Sequence, residues 1–156
     1  MQSLGRLRAC VATGVLTTAL LGAAAVVAPA ASAAPAASGL VSRCTKAGNI
    51  IYPTYYIRMP VNSSGAGELD CVLPVGSTGS AVVALQRTLN RCYAAGLAED
   101  GVYGDLTKGA VRKAQRAAGV TADGVYGPVT AASIRHATWS REIPDRFLGC
   151  RRYTPS

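Results

Sequence analysis

Hydrophobic residues recur at helical spacing in three segments of the second half of the chain. The first helix is expected after a polar entry at 76–80, the second from about 106 to 118, and the third from Pro128, because proline suits the first helical position. Thr78 or Ser80 is the expected N-cap of the first helix and Asp105 that of the second. The predicted apolar faces consist of Val82, Leu85, Leu89 and Cys92, then Leu106, Ala110, Val111 and Ala114, and then Val129, Ser133 and Ile134.

Between residues 49 and 61 the chain is rich in β-branched and aromatic residues, which favour strands. Pro53 and Thr54 interrupt this run, so a short hairpin or two strands are expected. Residues 62–67 have the composition of a loop. Tyr52, Tyr55 and Tyr56 fit packing within the strands, and a stacking surface for sugars is the alternative.

The first 33 residues have the pattern of an export signal. Arg6 and Arg8 precede an uncharged stretch from 9 to 28, and the small residues at 31–33 suit signal peptidase. Cleavage is therefore expected after Ala33. An uncleaved anchor is the alternative, because about 20 apolar residues can span a bilayer. The many alanine, glycine and threonine residues of this stretch favour cleavage.

Composition restricts the rest of the chain to a small basic domain. The whole chain has 156 residues and a net charge of +8, and the part after Ala33 has 14 basic and 8 acidic side chains. This length excludes a large α/β enzyme and a protein with several membrane spans. The charge suits anionic partners, but the export signal and the lack of a nucleic-acid-binding motif argue against nucleic acid.

Four cysteines after the export signal predict two disulfides in an oxidising compartment. Three pairings are possible. We favour Cys44–Cys71, which closes the N-terminal extension on itself, and Cys92–Cys150, which ties the C-terminal segment to the first helix. A zinc site is the alternative, but the chain has no CxxC motif and no second histidine, so we expect neither metal nor another cofactor.

One five-residue sequence occurs twice. Asp-Gly-Val-Tyr-Gly at 100–104 returns at 123–127, and a predicted helix follows each copy. Aspartate can accept a hydrogen bond from the backbone two residues ahead, and glycine permits positive φ, so both copies are typical of turns. The amides at the start of each following helix favour carboxylate ligands.

These motifs resemble the peptidoglycan-binding domain that accompanies many cell-wall hydrolases. The shared elements are a Gly-x-x-Gly entry at 76–79, a Val-x-x-Leu-Gln-x-x-Leu-Asn helix at 82–90, the first turn, a Thr-x-x-Ala-Val-x-x-x-Gln helix at 107–115, and the second turn with its threonine at 130. The resemblance covers about 73–134. Ala114 departs from it, because the family usually has a larger apolar residue there, and so does Asp105, where proline is common. The resemblance implies noncatalytic attachment to the stem peptides or glycan of the bacterial cell wall.

We therefore expect a mainly α protein, a compact three-helix bundle of the peptidoglycan-binding type. A small disulfide-closed extension, with a β-hairpin as one arrangement, precedes this bundle. The expected divisions are a signal peptide at 1–33, the extension with short strands at 34–72, the peptidoglycan-binding domain at 73–137 and a basic C-terminal tail at 138–156. The tail is interpreted as a solvated segment held by Cys150, or as a surface attracted to an anionic envelope.

Six residues are the predicted peptidoglycan contacts: Asp100, Tyr103, Thr107, Gln115, Asp123 and Tyr126. Each of them also has a structural interpretation. The aspartates suit turn formation, the tyrosines suit packing, the threonine suits a bond at its helix start, and the glutamine, like Gln86, suits capping of a neighbouring turn. The two turns and their helix starts are expected to line one groove.

No catalytic set is expected. His136 has no serine, cysteine or acidic partner at a recognisable spacing. A glycosidase needs two carboxyl groups about 5–9.5 Å apart across one bond, and the pairs Glu99–Asp100 and Glu142–Asp145 do not indicate such a cleft. The protein is therefore expected not to be an enzyme.

The resulting expectation is a secreted protein, extracellular or associated with the cell wall, that binds bacterial peptidoglycan without cleaving it. We expect no contact with nucleic acid, and none with a membrane after signal cleavage. The alternative is a secreted interaction or inhibitor protein that uses the same scaffold against a protein partner. The sequence leaves the choice between glycan and stem peptide open and indicates no oligomeric state.

Overall fold

The computed structural model describes residues 41–63 and 69–154. The predicted signal peptide and most of the predicted loop at 62–67 lie outside the described residues. The elements in chain order are β1 Ser42–Arg43, β2 Lys46–Ile51, β3 Tyr55–Val61, β4 Cys71–Val72, α1 Ser80–Tyr93, α2 Asp105–Ala118, α3 Pro128–Ser133, β5 Arg135–Ser140 and β6 Phe147–Arg152.

Strands as well as helices build this fold. Strands β2, β3, β5 and β6 form an antiparallel sheet in the order β2-β3-β5-β6, and β1 pairs with β4 in parallel. The expectation of a mainly α three-helix bundle is therefore wrong, because the three helices share the described part of the chain with six strands. The fold is mixed α and β.

The C-terminal hairpin explains the error. Five of the six residues of β5 are buried, and three of these five, His136, Thr138 and Ser140, are polar. Polar residues are ordinarily exposed, so a short segment that buries them is easily interpreted as part of a solvated tail. Its partner β6 has several exposed residues, but its two terminal arginines made the segment resemble a charged tail.

The helices begin and end close to the predicted positions, but their N-caps differ. Glycines occupy the three N-cap positions, Gly79, Gly104 and Gly127, and none of the three caps has a side-chain hydrogen bond. The predicted caps are therefore wrong, and Asp105 is instead the first residue of α2. Pro128 begins α3 as predicted.

The core lies among the helices and β3. Leu85 and Leu89 of α1, Val111 and Ala114 of α2, and Ile57 of β3 are buried in one cluster. Leu106 and Val129 of the predicted apolar faces are not buried at all, since Leu106 is 81% exposed and Val129 is 68% exposed. Both are the second residue of their helix.

Two disulfides close the fold, in the pairing favoured from the sequence. Cys44 is bonded to Cys71, and Cys92 is bonded to Cys150. The second bond joins the last turn of α1 to the edge strand β6. The C-terminal hairpin is therefore covalently attached to the helical part of the molecule.

Candidate functional site

The first repeated turn is held by one glutamine of α1. The Gln86 side-chain amide donates to Asp100 Oδ1 at 2.8 Å and to the Val102 carbonyl at 3.1 Å, while its oxygen accepts from the Gly101 amide at 2.9 Å. Asp100 Oδ1 also accepts from the Val102 amide at 2.9 Å. Thr107 adds a bond to the Val102 carbonyl at 3.3 Å, so the turn is fixed from both flanking helices.

The second turn repeats this arrangement with residues of α2 and α3. The Gln115 amide donates to Asp123 Oδ1 at 2.7 Å, to the Val125 carbonyl at 3.1 Å and to Thr130 Oγ1 at 2.9 Å. Its oxygen accepts from the Gly124 amide at 2.8 Å. The sequence repeat is therefore also a repeat of hydrogen bonds, and both glutamines cap a neighbouring turn.

Both turn aspartates are held in their charged form. The hydrogen bond from Gln86 lowers the pKa of Asp100, and the Val125 amide together with Gln115 lowers the pKa of Asp123. The Oδ1 atom of each carboxylate is occupied by these bonds within the turn. The aspartates are turn-forming residues in this structure.

The tyrosines of the two turns are core residues. Tyr103 is fully buried, and Tyr126 is 1% exposed. The Tyr103 hydroxyl donates to the Gly124 carbonyl at 2.9 Å, and burial raises the pKa of both phenols. The Tyr126 ring lies edge-on to the ring of His136, with 6.5 Å between the centroids. The two tyrosine side chains therefore stabilise the turns from within the core.

An open cavity of about 270 Å³ lies beside the first turn. Its wall combines the turn, the start of α2 and the segment that follows α1. Two large exposed apolar side chains contribute to it, Val102 at 49% and Leu106 at 81% exposure. The lining residues are Gln86, Leu97, Ala98, Asp100, Val102, Gly104, Asp105, Leu106 and Thr107.

The segment after α1 is held in place by one asparagine. Asn90 Oδ1 accepts from the Leu97 amide at 2.7 Å, and its Nδ2 donates to the Leu97 carbonyl at 2.9 Å. Glu99 pairs with Arg87 at 2.8 Å, which ties the same segment to α1 again. The wall of the cavity opposite α2 is therefore a fixed surface.

The two turns differ in their charged neighbours. The acidic residues Asp100 and Asp105 line the first cavity, and no basic residue does. At the second turn, the side chains of Lys108 and Arg112 pack against Gly124, close enough that a Cβ atom there would lie 2.7 Å from Lys108 Cγ. The cavity beside the first turn therefore has no basic side chain in its lining that could pair with a carboxylate ligand.

The structure brings only part of the predicted contact set together. Asp100 and Thr107 line the cavity, whereas Tyr103, Gln115, Asp123 and Tyr126 do not, and no residue of the second turn does. The predicted binding role of these six residues stays a prediction. Sequence reasoning missed Leu106, because its helical spacing indicated a buried face.

Comparison with known proteins bears on the helical part of the chain. Residues 78–134 match the model of the family described as "Putative peptidoglycan binding domain". This match confirms the resemblance to that family over these residues. The match includes α1, α2, α3 and both turns, a little over a third of the chain. Comparison with curated proteins and with solved structures gave no match.

Strands β5 and β6 lie outside the part of the chain that matches the family, as do β1 to β4. Within 41–63 and 69–154, no helix has the length and hydropathy that a membrane span requires. In the same residues, no group of three or more His, Cys, Asp or Glu side chains is placed to hold a metal ion. All residues that line the cavity beside the first turn lie within the matched segment 78–134.

Proposed function

We propose that this protein is secreted and binds bacterial peptidoglycan without cleaving it, using the cavity beside the first turn. The family match supports a peptidoglycan partner. Two disulfides are compatible with an extracellular location. The observation that carries the choice of site is the cavity itself, where Leu106 is 81% exposed next to the turn that the family shares.

The exposed leucine has no role in folding that the structure shows. An isolated exposed apolar residue is common on protein surfaces, but here Leu106 adjoins the half-exposed Val102 and a cavity. Apolar contact surface beside fixed polar groups is typical of small-ligand sites. Methyl groups of stem-peptide residues would remove this apolar surface from water.

The charges of the cavity restrict which part of the ligand it accepts. With Asp100 and Asp105 in the wall and no basic residue, the site favours an uncharged or amine-bearing part of the stem peptide over its terminal carboxylate. Helix α2 begins at Asp105 with Gly104 as its N-cap, so backbone amides of its first turn remain as donors for a peptide carbonyl. We expect an affinity between millimolar and micromolar, about 4–8 kcal/mol.

The test is retention on purified, protein-free sacculi. Leu106→Ala should weaken retention about tenfold, because burying the leucine side chain contributes about 2 kcal/mol or less. Val129→Ala is the matched control, since Val129 holds the same helical position after the second turn but does not line the cavity. Leu148→Ala on β6 removes a second exposed apolar side chain, at 46% exposure, outside the family domain.

The outcomes separate the competing functions. Equal losses for Leu106→Ala and Val129→Ala would contradict a site confined to the first turn. If the wild-type protein binds none of the sacculus preparations and stays in the supernatant, the result would favour the alternative of a secreted interaction or inhibitor protein. Clearing on gels that contain cell wall would show hydrolysis and contradict the noncatalytic role.

A further inference from the structure

A group of arginines lies at the C-terminal end of the edge strand β6. Arg135, Arg151 and Arg152 line an open cavity of about 460 Å³ together with Tyr55, Cys150 and Thr154. All three arginines are exposed, and no acidic residue lines the cavity. Within the described residues, the one ion pair is Arg87–Glu99, so none of these guanidinium groups has a carboxylate within 4.0 Å.

The strand register places two of these charges against each other. Arg135 of β5 is directly opposite Arg152 of β6. Like charges at directly opposed positions destabilise a sheet, and an anion between them would remove that repulsion. The same two charges act on the phenol of Tyr93, where burial raises the pKa and the arginines oppose the rise. The two side chains therefore lie close together on the surface next to the last turn of α1.

The site is also built on fixed parts of the fold. The Arg151 guanidinium lies over the ring of Tyr55, 5.1 Å from its centroid. The Arg135 amide donates to the Tyr93 hydroxyl at 2.7 Å, and the Tyr52 hydroxyl donates to the Thr154 carbonyl at 3.0 Å. The neighbouring Cys150 is bonded to α1. Because these side chains are already held in place, binding a ligand would cost little conformational entropy, which favours affinity.

We infer that Arg135, Arg151 and Arg152 form a binding site for a phosphodiester polymer of the cell envelope. One guanidinium satisfies a planar carboxylate through two parallel bonds, whereas three guanidinium groups around one opening suit phosphate oxygens approached from several directions. Arg151 and Arg152 both line this opening, together with Arg135 of the neighbouring strand. None of the lining residues belongs to the segment 78–134, so this site shares no residue with the cavity beside the first turn.

The experiment measures equilibrium binding of the full protein to poly(glycerol phosphate) between 50 and 200 mM salt. The variant carries Arg135→Gln, Arg151→Gln and Arg152→Gln. We expect the slope of log K against log salt to fall by about two, since each lost phosphate contact of a single-stranded polyanion removes about 0.7. Affinity at the lowest salt should fall about tenfold or more. The single variant Arg152→Gln repeats the measurement if the triple variant unfolds.

The matched control carries Arg43→Gln, Arg116→Gln and Arg146→Gln, which removes the same charge from exposed positions elsewhere. An unchanged slope in this control supports a local site, and an equal loss overturns it in favour of diffuse attraction. Unchanged binding by the first variant also overturns the inference. The comparison ligands are inorganic phosphate and two polymers of matched charge, poly-glutamate and duplex DNA. If any of them binds as tightly as poly(glycerol phosphate) or more tightly, the result contradicts an envelope phosphodiester polymer as the ligand. On sacculi stripped of phosphate polymers, the triple variant should be retained as well as the wild type, which separates this site from the first-turn cavity.

Discussion

The phenol of Tyr103 in the first turn donates to the carbonyl of Gly124 in the second turn, with 2.9 Å between the two oxygens. This bond joins the two copies of the repeat directly. Because Tyr103 is fully buried, water does not replace the donor if the hydroxyl is lost. The repeat is therefore a single structural unit in which one turn supports the other.

Tyr103→Phe should lower the free energy of unfolding by about 1–2 kcal/mol, because it leaves the Gly124 carbonyl without this donor. Tyr126→Phe is the matched control. The Tyr126 hydroxyl is buried and has no hydrogen-bond partner among the described residues, so its removal loses no bond and should leave stability unchanged or raise it. Urea unfolding of both variants measures the difference. Equal losses would show that the phenol of Tyr103 does not join the turns in solution.

Gln115→Leu should destabilise the protein by about 2–4 kcal/mol, since the buried amide of Gly124 loses its acceptor, and Asp123 Oδ1 and the Val125 carbonyl each lose a donor. Arg116→Leu places the same side chain at the next, exposed position and should stay within about 0.5 kcal/mol of the wild type. Thermal or urea unfolding measures both. A Gln115→Leu variant as stable as the control would contradict the capping role of the glutamine.

The repeat was predictable from sequence because it depends on local chemistry. Aspartate, glycine and a helix start are enough to indicate each turn, and the spacing of Gln86 and Gln115 indicated their capping role. The family assignment followed from the same residues and is confirmed for 78–134. The pairing of the four cysteines could be favoured because each bond closes a different part of the chain.

The sheet and the exposed leucine were not predictable by the same reasoning. Strand β5 is buried along most of its length although three of its buried residues are polar, and its pairing with β3 joins residues about 80 positions apart. Leu106 has helical spacing with buried residues, but the start of a helix can project beyond the core. Both features depend on tertiary contacts, which local patterns do not specify.

Replacing Cys92 and Cys150 with alanine should cost about 4 kcal/mol, from the loop-closure entropy of a 58-residue separation. The corresponding change at Cys44 and Cys71, with a separation of 27 residues, should cost about 3.5 kcal/mol. The first variant also detaches β6 from α1, so hydrogen exchange of the hairpin amides should accelerate only there. Unfolding under reducing conditions should remove the difference between each variant and the wild type. Unchanged stability of either oxidised variant would contradict its bond.

His136 should make the stability of the protein depend on pH between about 4 and 6.5. Burial lowers the pKa of this side chain to about 4, while the Ala131 carbonyl, 2.7 Å from Nε2, opposes the shift. The unfolded chain binds a proton near pH 6.5 and the folded protein does not, so the unfolded state holds more protons in this window and stability falls as pH falls. The full difference in the free energy of unfolding corresponds to about 3 kcal/mol.

The variant His136→Gln tests this assignment. It should be less stable at pH 7 but should lack this slope, and since the chain has one histidine, no other imidazole can supply it. The pKa values of Asp100 and Asp123 are lowered, so their contribution to stability is lost as the pH falls below their ordinary pKa of 3.8. This pH range lies below that of His136, so a pH titration of urea unfolding separates the two effects. A wild-type slope that persists in the variant would show that His136 is not the titrating group.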